Sequence, residues 1–229
     1  AAFVVVAQRV RSPLLPLDVI LQRTRGAAYL AVFVLAIGMF AGLYFLTVHL
    51  QNVLGYSALR TGVAFLPFGL SAMAASRALT RWTGRVQTGT MLAAGLFAIA
   101  SGIALLTRLS TASAYAVGVL PTMLLLGVGG TLVMVTASNA ATISAGPDAG
   151  VASAAVGATQ QIGAALGTAL LGSIAVAATR QRYGRAQPAT PDAAWLEAVV
   201  HGFTRAAAVG ALLVVAGVLV VTVTARRTP

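Results

Sequence analysis

Two histidines, His49 and His201, and four carboxylates, Asp18, Asp148, Asp192 and Glu197, are the only side chains in this sequence whose charge changes within reach of neutral pH. General acid–base catalysis needs two such groups converging on one reacting atom. Every carboxylate here falls in a connector or at the edge of a long apolar run. No proton relay is therefore expected within the apolar part of the chain. Asp148 follows Gly146-Pro147 where an apolar run begins, a place that suits a negative charge at a helix N-terminus. The chain has no cysteine, which excludes disulfides, thiolate metal sites and thiol nucleophiles. HExxH, GxSxG and P-loop patterns are missing as well. No enzymatic activity, metal or cofactor is expected.

What remains is a sparse set of polar and adaptable apolar groups inside the apolar runs. His49 and Gln51 close the first run, Thr136, Ser138 and Asn139 end the fourth, and Gln160 and Gln161 lie in the fifth. An unpaired polar group in hydrocarbon is costly, so each is informative. His49 has two readings, an interfacial histidine hydrogen-bonded near one membrane surface, or a substrate contact and protonatable gate. Gln160 and Gln161 point about 100° apart on a helix, so at most one lines a pathway while the other bonds between helices. Phe40, Tyr44, Phe65 and Met134 would offer an adaptable surface to a drug-like molecule, or serve as plain packing.

The elements that must position these groups follow from composition. Of 229 residues, 59% are hydrophobic and 8% charged, against about 45–50% and about 25% in soluble chains, so a soluble domain is excluded. A hydrocarbon layer about 30 Å thick requires about 20 apolar helical residues. Runs of that length occupy residues 27–51, 61–79, 88–107, 115–140, 151–179 and 203–225. They lack the alternation of barrel strands, so they predict an all-α membrane protein, a bundle of six transmembrane helices over residues 27–225. Residues 1–7 read as the end of a truncated preceding transmembrane helix, 8–26 as a connector and 226–229 as a tail. Pro67 and Pro121 mark bends. Thr190-Pro191-Asp192 looks like a capped helix start in the connector before the last span, with Trp195 as an interfacial anchor for that span.

Glycines Gly127, Gly129, Gly130, Gly163 and Gly167 stand among alanines in the fourth and fifth runs, the last two as a GxxxG pair, and predict close helix packing. Residues 212–223, mostly valine and leucine, predict a peripheral, lipid-facing sixth span. All 15 cationic side chains are arginines. They fall between apolar runs without an aromatic stacking motif, which favours the lipid bilayer over nucleic acid as partner. Putting the first, third and fifth connectors and the tail on one side places nine arginines there: Arg9, Arg11, Arg23, Arg25, Arg77, Arg81, Arg85, Arg226 and Arg227. That side is taken as cytoplasmic, with the C-terminus inside. Arg77 and Arg205 sit near span ends, where their stems can snorkel to headgroups.

Several stretches, in order along the chain, resemble the fourteen-span drug/proton antiporters of the major facilitator superfamily, of the Qac/Emr efflux type. Pro13-Leu14-Leu15-Pro16-Leu17 resembles the lead-in to that family's ninth span. Leu50-Gln51-Asn52-Val53-Leu54-Gly55-Tyr56-Ser57, then Gly62 and Leu66-Pro67, resembles its next junction and is the most specific match. Gly127-Val-Gly129-Gly130, Gly150-Val-Ala-Ser153 and the stretch from Gln161 to Ala169 resemble its twelfth and thirteenth spans, and Gly202-Phe203 the start of the fourteenth. The sequence departs from the pattern at His49, often tyrosine, at Gln160, often arginine, and at Thr80, often a carboxylate.

The resemblance covers only the C-terminal half of such a transporter. It implies that the first, second, fourth and fifth spans face a central cavity and the third and sixth lie behind them. It implies proton-coupled efflux of small hydrophobic or cationic substrates across a bacterial cytoplasmic membrane, together with a missing N-terminal half that carries the protonatable carboxylates. Phe40, Tyr44, His49, Phe65, Met134, Asn139, Gln160 and Gln161 are the candidate substrate contacts. Import or exchange of a metabolite on the same fold, and a non-transporting membrane scaffold, are the alternatives.

Overall fold

Apolar side chains dominate each run, and with no water to satisfy backbone groups the chain closes its hydrogen bonds within helices. The computed structural model describes residues 23–82, 85–111, 113–143, 146–184 and 191–226. Residues 1–22, with the truncated helix, most of the first connector and the Pro13–Leu17 match, lie outside the described residues, as do Gly84 and the end of the tail. The helices are α1 (Arg23–Val48), α2 (Ala58–Ala64), α3 (Leu66–Trp82), α4 (Thr88–Leu106), α5 (Leu120–Thr142), α6 (Ala149–Tyr183) and α7 (Pro191–Arg226). With α2 and α3 forming one bent span, six segments are long and apolar enough to cross a membrane.

The helices form two layers. In the front layer α3 packs on α5, α5 on α1, and α1 on α6; behind them α4 and α7 pack on each other, α4 also against α5 and α7 also against α6 and α1. The four front helices belong to the spans that the resemblance assigns to a cavity. The seams are made by backbone approaching backbone. A Cβ at Gly163 would lie 2.6 Å from the Phe33 carbonyl oxygen, and one at Gly167 would lie 2.5 Å from Ile37 Cα. The GxxxG pair of α6 is therefore filled by one turn of α1. Gly129 meets Gly95 of α4 in the same way, its Cβ falling 2.6 Å from the Gly95 carbonyl oxygen, and Gly127 rests on Phe68 and Ser71 of α3.

Two expectations are corrected. The last span does not begin at Phe203, because one unbroken helix runs Pro191–Arg226 from the capped start predicted in the connector. Nor is its seam left to valine and leucine. Gly202 seats on Ala175 and Thr179 of α6, and Gly217 faces Val34 of α1, while Leu212, Leu219 and Val223 project outward. The sixth span thus has one lipid-type face and one glycine face. Its polar start kept the hydropathy low and hid the helix continuity.

Both prolines fall where the helices change course. Pro67 lacks an N–H, and the chain breaks at Phe65, whose N–H turns back to Thr61 and Gly62. The Tyr115 hydroxyl donates to the Ala64 carbonyl oxygen at that break (2.6 Å), so the fourth span props the bend of the second. Pro121 sits at the first turn of α5, where a π-wound turn, Tyr115–Val119, gives way to α-helix.

Candidate functional site

Among the partly or fully open residues of α1, Phe33, Ile37, Phe40, Tyr44 and Thr47 form a stripe with steps of three and four that stays on one face of the helix. Phe33 and Ile37 are met by the glycines of α6. Beyond them the stripe opens, Phe40 at 37% exposure and Tyr44 at 51%. Tyr44, Val48 and Asn52 then line a groove of about 430 Å³ with Thr168, Gly172 and Arg180 of α6 and Trp195 and Phe203 of α7. Trp195 meets Tyr183 edge-on at 5.6 Å between ring centroids. The groove offers aromatic walls, one amide, three hydroxyls and the Arg180 guanidinium, a chemistry suited to holding a flat, largely apolar molecule.

The other candidates are spread over the bundle. Met134 is half-buried and packs into the main apolar core, as does Phe65 at the bend between α2 and α3. Asn139 is exposed at the opposite end of the bundle from Tyr44, where it lines a cleft of about 560 Å³ with Arg85, Gln87 and Thr88. Tyr44 and Asn139 therefore belong to different openings. Gln160 is half-buried on the side of α6 that carries Val156 and Gly163, the seam side, whereas Gln161 is exposed. Only Gln161 presents its amide to an open surface. Its neighbours Ile162, Leu166 and Leu170 are apolar and exposed.

His49 is 1% exposed, its Nε2 has no hydrogen-bond partner, and it does not line the groove that its neighbour Val48 lines. It follows the buried Phe45 and Leu46 by four and three residues, so the regular winding of α1 puts it on the same buried face. From His49 to Val53 the chain is then wound as a π-helix. The Leu54 N–H bonds the His49 carbonyl and the Tyr56 N–H reaches back to Leu50 (2.9 Å). Gly55, at φ 66°, makes the left-handed turn this closure needs. Ser57 then caps α2 by accepting from the Arg60 N–H, and the Arg60 guanidinium lies over the Tyr56 ring at 3.9 Å. The junction from Leu50 to Ser57 is thus a compact helix-to-helix turn.

Several hydroxyls are satisfied within their own helix turn, although the Tyr29 hydroxyl is buried without a partner. Thr179 donates to Ala175 O and Thr61 to Ser57 O, and the Ser71 hydroxyl donates to Phe68 O. Asp148 stands at the start of α6, and Glu197 is exposed on α7. Among the described residues no group of three or more histidines and carboxylates comes together as a metal site.

The sequence of this six-span, two-layer bundle has known relatives. Residues 4–168, well over half of the chain, match the family model described as Major Facilitator Superfamily. The chain belongs to the Major Facilitator Superfamily. It is 42% identical over 221 residues to the puromycin resistance protein pur8 of Streptomyces alboniger, covering 94% of this chain and 44% of that protein. It is 36% identical over 173 residues to the cephamycin export protein CmcT of Amycolatopsis lactamdurans, covering 74% and 36%. The multidrug efflux pump LfrA of Mycolicibacterium smegmatis is 32% identical over 198 residues, covering 84% and 38%. The chain spans under half the length of these superfamily relatives.

Proposed function

We propose that this chain is the C-terminal bundle of a drug/proton antiporter of the fourteen-span Qac/Emr type, which exports hydrophobic or cationic compounds. The observation that carries the reading is the open front layer, where the apolar and aromatic Phe40 and Tyr44 and the neutral Gln161 stand exposed, with Arg180 lining the groove beside Tyr44. Relatives named for puromycin resistance, cephamycin export and multidrug efflux support export over import. A second six-helix bundle would face this layer, and rocking of the two would open the site alternately to each side. The protonatable carboxylates would reside in that partner bundle, and the arginine distribution supports a cytoplasmic C-terminus. The lining supplies binding groups and no acid–base pair, so transport without catalysis is the fitting activity.

The test is export of a fluorescent hydrophobic cation from bacteria producing the full-length protein, with and without an uncoupler. Export that collapses with the proton gradient supports the reading; accumulation of the cation, or export insensitive to the uncoupler, refutes it. Residues 1–229 expressed alone are expected to give no proton-coupled export. Accessibility of single cysteines placed at 226 and at 108 checks the orientation, with only the latter labelled from outside.

A further inference from the structure

A cluster of charge takes no part in the front layer. Gln181 and Arg182 near the end of α6, with His201 and Arg205 of α7, line a groove of about 830 Å³ between the two helices. This groove lies across the α6–α7 contact from the one beside Tyr44. The two use different faces of α6, Thr179 and Arg180 there, Ala178 and Gln181 here, and α1 contributes nothing to the second. Arg182 and Arg205 are both exposed, and both lie within electrostatic reach of the His201 ring. Among the described residues neither guanidinium is paired with a carboxylate. Glu197, one turn before His201, does not line the groove. The rest of the lining, Ile174, Ala177, Ala178 and Val209, is apolar and runs inward along both helices.

A basic mouth at a helix end above an apolar floor has the polarity of a phospholipid. Guanidiniums close to hydrocarbon are expensive unless an anion meets them, and their planar fork matches phosphate oxygens. A zwitterionic headgroup would bring its ammonium against two guanidiniums, whereas an anionic glycerol headgroup brings hydroxyls for the Gln181 amide. We propose that this groove binds an anionic phospholipid, its phosphate between Arg182 and Arg205 and one acyl chain along Ile174, Ala177, Ala178 and Val209. The assignment rests on the bundle and not on the identity of the exported compound.

Purified full-length protein in mild detergent, titrated with phosphatidylglycerol or phosphatidylcholine and followed by native mass spectrometry, tests this. Phosphatidylglycerol should bind more tightly. R182Q and R205Q should each weaken it about fivefold, and R108Q, which removes an exposed charge away from the groove, should leave it unchanged. Melting of each variant in lipid-free detergent checks folding. If R205Q unfolds, R182Q at the exposed helix end carries the test alone. Equal binding of the two lipids, or losses in R108Q as large as in R182Q, would overturn the proposal. So would glycerol phosphate competing as well as the lipid, which would make the groove a soluble-anion site.

Discussion

Gly167→Ala and Gly157→Ala add the same methyl group to the same helix, yet should shift stability in opposite directions. At Gly167 the new Cβ would stand 2.5 Å from Ile37 Cα and 2.6 Å from its carbonyl oxygen. Carbon atoms pack at about 3.5–4.0 Å, so α1 and α6 must part by about 1 Å on that line. The obstacle is backbone and has no rotamer to swing away. Parting forfeits about a quarter to a half of the dispersion attraction across the opened stretch, and overpacking of this kind costs about 1–3 kcal/mol. At Gly157 nothing lies within 4 Å, and replacing a helical glycine by alanine gains about 1 kcal/mol. The two variants should therefore differ by about 2–4 kcal/mol, taking the two contributions together. Denaturation of the purified full-length protein in detergent, by heat and by added dodecyl sulfate, measures the gap. Curves that shift in the same direction, or that coincide, would refute the claim that this glycine pair is a backbone seam.

Other perturbations separate the remaining parts. Tyr115→Phe keeps the ring but deletes the donor to Ala64 O. It should destabilise by about 0.6 kcal/mol, the mean for hydrogen bonds between membrane helices, and a melting temperature unchanged from the parent would show that the bond does not brace the bend. Gly55→Ala forces a Cβ into the left-handed region at φ 66°, at about 1–2 kcal/mol, again read by melting. Under the export reading, Tyr44→Ala should lower affinity for an aromatic cation about two- to fivefold by removing an exposed ring, measured as a change in half-saturating concentration for efflux. Gln161→Ala should alter substrate range at unchanged melting temperature, whereas Gln160→Ala, on the seam side, should act on stability; identical phenotypes would contradict that division.

The spans were legible because length and hydropathy report burial in lipid whatever the neighbours are: the second run, read as 61–79, spans Ala58–Arg81. The glycine pair at 163 and 167 was legible for a similar reason, since its spacing places both on one helical face. Its partner on α1 was not, because Phe33 and Ile37 look like any apolar residues and become special only when α6 arrives. The start of α7 was misread because Glu197, His201 and Arg205 lower the hydropathy without interrupting the helix. The burial of His49 was not legible, because which face of α1 turns inward depends on its neighbours. Nor was the π-turn that starts there, which only the closing bonds from Leu54 and Tyr56 reveal. The basic groove likewise needs two helices, and Arg205 alone reads as snorkelling.

The distribution of glycine also bears on how such a bundle would move. Backbone contacts join α1 to α6, α4 to α5, α6 to α7 and, at Gly127 against Phe68, α5 to α3, and a seam with no side chain between its backbones has no rotamers through which to yield. These helices should shift together. The second span is different: outside Thr61, Ser71, Ala75 and Leu79 little of it is buried, its helix breaks at Phe65, and the Tyr115 hydroxyl and Gly127 are among its few ties to the rest. If opening and closing involve deformation within this bundle as well as rotation of it, the break between α2 and α3 is the element with least to lose. Hydrogen exchange of the full-length protein in detergent should then show the amides around Phe65 opening before those at Gly163 and Gly167. Equal protection of the two sets would mean that the bend is as rigid as the seams.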